Sequence, residues 1–197
     1  MKNKLIILLS ILSIGLTTQA QLVQEATDLG YTVVTETVYN TIKFEGVLFI
    51  DIKATKGDIN QMANLFPLED DGNTGPSSGI ELAEPNSVTI NEHGQEIGEL
   101  ERVFTYNNGL EVAFHNDDIN PGLELIGLRS DNITINGVTL EIGDPISNLT
   151  SINYIIKTGT VNNKFVKIVK EGHYAVSLVL NLDSNNNITK IYYYVNP

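Results

Sequence analysis

The segment that most narrows the fold is Ile133-Thr134-Ile135-Asn136-Gly137-Val138-Thr139-Leu140-Glu141-Ile142. Apolar residues alternate with polar ones into an Asn-Gly pair and alternate again out of it. Asn-Gly readily supplies the two positive φ angles of a type I′ turn, so the stretch predicts a two-residue β-hairpin. An earlier stretch, Thr41-Ile42-Lys43-Phe44-Glu45-Gly46-Val47, can be laid against Asn132-Ile133-Thr134-Ile135-Asn136-Gly137-Val138. Its Glu-Gly turn is a weaker form of the same signal. Internal duplication would explain the correspondence, and so would ordinary strand composition arising twice.

A Gly-Asp pair follows each hairpin. Asp58 reads as a helix N-cap, with Ile59, Met62, Ala63 and Phe66 spaced i, i+3, i+4, i+7 behind it and Pro67 as the stop. Asp144 reads the same way, with Pro145 at the first helical position and Ile146, Leu149 and Ile152 as the buried stripe. Helices this short need a sheet to pack on. Strands then close each unit. Ile97 to Tyr106, Leu110 to His115 and Leu123 to Leu128 form the first set, turning at Asn107-Asn108-Gly109 and through Asp117 to Gly122. Lys164 to Val169, Tyr174 to Leu182 and Ile188 to Val195 form the second.

On this reading Phe114-His115-Asn116-Asp117 takes the place of Leu180-Asn181-Leu182-Asp183. The offset between copies falls from 91 (Gly46 to Gly137) to 86 (Asp58 to Asp144) and 66 (Asp117 to Asp183), so the first unit carries extra loop, mostly Leu68 to Asn86. Upstream, Leu22, Val23, Ala26 and Leu29 share a helical face ended by Gly30, and Thr32 to Tyr39 reads as a strand. The expected fold is α+β and rich in antiparallel sheet. A lead-in over 21–40 precedes one unit over 41–130 and another over 131–197, separate or merged into one continuous domain. Each would hold a β-hairpin, a short capped helix and an antiparallel meander.

The first 20 residues follow the grammar of a cleavable secretory signal: Lys2 and Lys4, an apolar run from Leu5 to Leu16, then Thr18-Gln19-Ala20. That run is short for a spanning helix, which needs roughly 20 residues. Cleavage after Ala20 would leave 177 of 197 residues with no further membrane-spanning stretch. The chain has no cysteine, which removes disulfides, thiolate chemistry, cysteine metal sites and lipid anchoring. The expected location is periplasmic or extracellular. Loss of Lys2 and Lys4 would take the formal charge from −12 to −14. Such a surface disfavours nucleic acid and anionic lipid and suits basic protein surfaces or divalent cations, or simply solubility.

Catalytic motifs fail on context. Gly75-Pro76-Ser77-Ser78-Gly79 spells G-x-S-x-G, but a nucleophile elbow needs a strand before the serine and a helix after it. Here Glu69-Asp70-Asp71-Gly72-Asn73, a loop composition, precedes the motif, and Ile80-Glu81-Leu82-Ala83-Glu84-Pro85 is too short for that helix. Asp183-x-Asn185-x-Asn187 starts like a calcium loop but has Ile188 at the sixth position and Tyr194 at the twelfth, where glycine and glutamate are needed. It reads as an Asn-rich turn. His93, His115 and His173 show no metal-ligand spacing, and no metal or cofactor is expected. Asp117 and Asp118, with Asn116 and Asn120, form either a capped turn or a weak surface cation site. In Tyr192-Tyr193-Tyr194, Tyr193 shares a strand face with Ile191 and Val195. Tyr192 and Tyr194 face the other way, either as sheet cover or as a binding surface.

Gly57-Asp58-Ile59 with Met62 and Leu65, and Gly143-Asp144-Pro145-Ile146 with Leu149, each precede a meander. This tandem pattern resembles the β-lactamase-inhibitor-protein-like fold, shared with outer-membrane assembly lipoproteins of the SmpA/OmlA type. The resemblance implies an exported module that binds other proteins through a sheet surface and does no chemistry. The expected function is therefore non-enzymatic protein binding or inhibition, with Tyr192, Tyr194, Asp117 and Asp118 as the binding candidates. The alternatives are a hydrolase built on Asp117, Asp118, Glu92 and His93, and a structural envelope component.

Overall fold

Both Gly-containing hairpin turns adopt the backbone their sequences call for. In the computed structural model Asn136 and Gly137 have φ of 47° and 84°, and Glu45 and Gly46 have φ of 48° and 79°. The structure describes residues 26–27, 29–66, 79–82, 89–90, 96–97, 101–106, 108–115 and 123–195. The expected signal sequence, Leu22, Val23, Pro67, Gly75 to Ser78, Glu92, His93, Asn107, Asn116, Asp117, Asp118 and Asn120 lie outside the described residues.

The elements are β1 (Thr32–Val34), α1 (Glu36–Tyr39), β2 (Lys43–Phe44), β3 (Val47–Leu48), α2 (Phe49–Ala54) and α3 (Ile59–Leu65). Then come β4 (Gly79–Leu82), β5 (Thr89–Ile90), β6 (Glu96–Ile97), β7 (Glu101–Thr105), β8 (Glu111–His115) and β9 (Glu124–Ser130). After β10 (Asn132–Ile135), β11 (Val138–Glu141) and a 3-10 turn (Ile146–Asn148), the chain ends in β12 (Lys157–Thr158), β13 (Lys164–Lys170), β14 (His173–Leu182) and β15 (Ile188–Val195). The class is α+β, dominated by antiparallel sheet.

The main sheet runs β1-β13-β14-β15-β9-β8-β7-β4, with β12 beside β13, and among the described residues only the β1–β13 pair is parallel. Two antiparallel meanders, β7-β8-β9 and β13-β14-β15, thus meet along their last strands. The smaller sheet runs β11-β10-β2-β3, so the two hairpins also meet, along β10 and β2. Glu45 adopts positive φ at the first hairpin turn and reaches the second, accepting from Ser130 Oγ at 2.7 Å and Asn132 Nδ2 at 2.6 Å.

Strand alternation puts Val166, Ile168, Leu178, Leu180, Ile191, Tyr193, Leu128, Val112, Phe114 and Phe104 on one face of the main sheet, all buried in one apolar cluster. The small sheet and helices supply the opposing side through Phe44, Phe49, Ile52, Met62, Ile133, Ile135 and Leu140. Asp58 caps α3 as expected, its Oδ1 accepting from Gln61 N at 2.9 Å. Met62 and Phe66 are buried, while Ile59 is 37% exposed.

Several expectations need correction. Thr32 to Tyr39 is not one strand: β1 stops at Val34, because Thr35 caps α1 by accepting from Val38 N. Leu29 is not on a buried face and stands 57% exposed, although Gly30 does end the turn, with Gly30 N donating to Thr27 O and Tyr31 N to Ala26 O. No capped helix forms after Asp144. Its carboxylate turns back to accept from Glu141 N, and Pro145 is extended at ψ 134°, leaving only the single 3-10 turn that buries Ile146 and Leu149. Of the strand expected over Ile97 to Tyr106, Ile97 belongs to β6, which pairs β5, while Glu101 to Thr105 form β7 in the main sheet. Residues Gly79 to Leu82, expected in a loop, form β4, so a strand follows the G-x-S-x-G serine where an elbow requires a helix.

The Asp183 turn closes as an Asx-type turn rather than a cation loop. Its Oδ1 accepts from Asn185 N and Asn187 N, each at 2.8 Å, and its Oδ2 accepts from Asn187 Nδ2 at 3.2 Å. The Asn187 backbone bond, assisted by the Asn187 side chain, Asn185 and Lys164, holds this carboxyl below its ordinary value of 3.8, against desolvation. A depressed folded-state pKa stabilises the fold above the unfolded value, and that contribution is lost as pH falls through the lower, folded value. Carboxyl NMR titration is expected to give Asp183 a midpoint below 3.8, with the Asn185 and Asn187 amides shifting in step. A midpoint at or above that value would contradict the turn geometry.

Candidate functional site

The last strand sets the site. In Ile188-Thr189-Lys190-Ile191-Tyr192-Tyr193-Tyr194-Val195, Ile191 and Tyr193 enter the core, which sends Lys190, Tyr192 and Tyr194 to the opposite face. The Tyr192 and Tyr194 rings stack at 5.8 Å between centroids with 26° between planes. Both residues are half-buried. Burial raises the Tyr192 hydroxyl pKa, the neighbouring Tyr194 adds to it, and a side-chain hydrogen bond with Asn181 opposes it.

Register extends this face across the neighbouring strands, because directly paired residues share a side. One row is Lys157, Phe165, Asn181 and Lys190. The next is Lys167, Val179, Tyr192, Arg129 and Glu111. A third sets Tyr194 among Ser177, Gly127 and Ala113, small residues that leave its flank low. The cations lie against the rings. Lys167 Nζ is 4.3 Å from the Tyr31 centroid and 5.8 Å from that of Tyr194. Lys157 Nζ is 5.8 Å from the Tyr31 centroid, and Lys190 Nζ is 5.1 Å from that of Tyr192.

Lys167 is only 7% exposed, and ring faces supply the attraction that a desolvated ammonium requires. Ser177, directly opposite Tyr194, is buried with its Oγ unpaired among the described residues. Chemically the face offers the exposed Lys190 ammonium and Arg129 guanidinium and the half-buried rings of Phe165, Tyr192 and Tyr194, while Lys167, Val179 and Ser177 in the same rows are buried. Among its described residues there is no nucleophile activated by a base.

Of the expected site residues, the structure brings Tyr192 and Tyr194 together and describes neither Asp117 nor Asp118. His115 ends β8 and His173 begins β14, separated by three strand spacings, about 14 Å at least. Among the described residues no group of three or more His, Cys, Asp or Glu side chains is placed to hold a metal ion. Phe165, Lys157, Lys167, Lys190, Arg129 and Tyr31 were not singled out by the sequence. Alternation along β15 itself would have added Lys190, whereas the others reach this face through strand order.

Away from this face, a cleft of about 400 Å³ is lined by Glu45, Asn108, Asp131, Asn132, Glu141 and Ile142. The Glu45 oxygens there are taken by Ser130 and Asn132, so the carboxylate clasps the two hairpins together. No helix among the described residues is long and apolar enough to cross a membrane. Comparison with known protein families, with characterised proteins and with solved structures found no match to this chain.

Proposed function

We propose that this is an exported, non-enzymatic module that binds another protein through the face bearing Tyr192 and Tyr194. The observation that carries the reading is the stacked, half-buried tyrosine pair on the side of the main sheet that faces away from the core. Tyrosine offers large contact area at low entropic cost and is enriched among the residues that dominate binding energy. Export rests on the leader-like first 20 residues, and a free rather than lipid-anchored product rests on the absence of cysteine. Affinity capture from the envelope or medium of the producing cells should retain a protein partner. Tyr192→Ala and Tyr194→Ala should each weaken retention about tenfold or more. Capture that is indifferent to both substitutions would defeat the reading.

The same reading includes a tandem duplication, supported by register. The 91-residue offset between Gly46 and Gly137 makes Lys43 equivalent to Thr134, and these two residues are direct partners across β2 and β10. The meanders carry matching bulges, with Ile126 and Thr189 as the extra residues. Their 63-residue offset makes Arg129 equivalent to Tyr192, again direct partners, across β9 and β15. A local two-fold axis through both pairs would produce this pattern. It makes Phe114 equivalent to Leu182, two residues along from the alignment suggested by sequence. The proposed likeness to the β-lactamase-inhibitor-protein-like fold rests on Gly57-Asp58-Ile59 with Met62 and Leu65, since only a 3-10 turn follows Gly143-Asp144-Pro145. Relatives whose two hairpins differ in length would count against duplication.

A further inference from the structure

We infer that the partner segment seated on the Tyr192 and Tyr194 face is an acidic polypeptide, although the chain that binds it is itself strongly acidic. This rests on the protein-binding reading and adds the chemistry of the partner. The chain has 24 acidic and 12 basic residues, yet the rows beside the tyrosines hold Lys157, Lys190, Lys167 and Arg129. Among the described residues of those rows the first carboxylate is Glu111, beyond Arg129 and away from the tyrosines. Net charge is therefore a poor guide to this face. Lys190 and Arg129 are exposed; Lys190 precedes Tyr192 by two residues on the same strand and face, and Arg129 is the direct partner of Tyr192 on β9.

The face combines positive charge with ring surface, and the ordering of those parts selects among anions. A nucleic acid or sulfated glycan is a dense line of negative charge, and the field of a chain with formal charge −12 opposes its approach at long range. A peptide with a few carboxylates set among apolar side chains meets less of that field. It can place carboxylates on Lys190 and Arg129, where guanidinium contacts are bidentate. Its apolar side chains can lie on Tyr192, Tyr194 and Phe165. Complementary charge then fixes which segment binds and how fast, while the rings supply the buried area.

The test uses the purified protein, labelled with nitrogen-15, and three probes: a peptide alternating Glu and Val, its Lys-and-Val counterpart, and heparin. The Glu peptide should shift the amides of Lys190, Tyr192 and Tyr194, with affinity falling about tenfold from low to physiological salt. Lys190→Glu with Arg129→Glu should abolish that response and admit the Lys peptide, while the amide spectrum elsewhere keeps its native dispersion. Binding of the Lys peptide at these tyrosines by the unmodified protein would overturn the acidic partner and leave the binding face standing. A response to heparin and not to the Glu peptide would overturn it in favour of an anionic glycan. Silence at Tyr192 and Tyr194 toward all three, together with empty affinity capture, would overturn both readings.

Discussion

Phe49→Ala is expected to lower the unfolding free energy by about 3–5 kcal/mol, a large share of the roughly 5–15 kcal/mol available to an ordinary domain. Phe49 opens α2 directly after the first hairpin and is 2% exposed. Its ring meets Tyr193 at 4.7 Å, Phe44 at 5.5 Å and Tyr39 at 5.9 Å between centroids, all edge-on. Phe44 belongs to the small sheet and Tyr193 to the main one, so a single ring joins the two layers. Truncation removes the transfer free energy and leaves a cavity that three fixed aromatic neighbours cannot close. Phe49→Leu keeps most of the volume and should cost under about 1.5 kcal/mol. The chain has no tryptophan and eight tyrosines, so summed tyrosine fluorescence, to which Tyr39 and Tyr193 contribute, followed alongside circular dichroism in urea reads the loss. Equal losses for the two substitutions would show that Phe49 does not bridge the layers.

Gly57→Ala is expected to cost about 2–4 kcal/mol, more than an alanine at any exposed turn glycine. Gly57 joins α2 to α3 with φ of 71°. A Cβ there would lie 3.0 Å from Leu123 Cδ1 and 3.2 Å from Phe114 Cγ, both in the core. Two penalties therefore combine, the left-handed backbone and an overfilled interior. The Gly57 carbonyl also accepts from Arg102 Nη1 at 2.9 Å, which any backbone shift to relieve the clash would disturb. Gly137→Ala isolates the first penalty. Gly137 has φ of 84° but nothing within 4 Å of an added Cβ, so about 1–2 kcal/mol is expected. Equilibrium denaturation of both variants gives the packing cost by difference, and a difference near zero would refute it.

Local chemistry was legible in the sequence, and long-range pairing was not. Asn136-Gly137 and the period-two runs of β13, β14 and β15 each encode their own conformation within a few residues, so those elements appear where expected. Thr35 and Asp144 show the limit of such reading. A threonine in a β-rich run became a helix cap, and an aspartate before proline bonded backward to Glu141 rather than forward into a helix. Either choice suits the local sequence, and tertiary contacts decide. The candidate face divides the same way. Tyr192 and Tyr194 follow from alternation on one strand. Lys157, Lys167, Arg129 and Tyr31 join them only once β12, β13 and β9 are placed, and no local pattern specifies that order.

That strand order has a kinetic meaning. β1 pairs with β13, β2 with β10 and β9 with β15, so the contacts that close both sheets join residues such as Thr32 and Ile168, far apart along the chain. Closing such long loops costs entropy before any packing rewards it, which places folding at roughly milliseconds to seconds rather than microseconds. A chain emerging from synthesis with only β1 to β9 available has no partner strand for β1, and β2 and β9 each have one neighbour, β3 and β8, in place of two. Its main sheet cannot be completed until β15 has appeared, and until then the edge of β9 stays open to other chains.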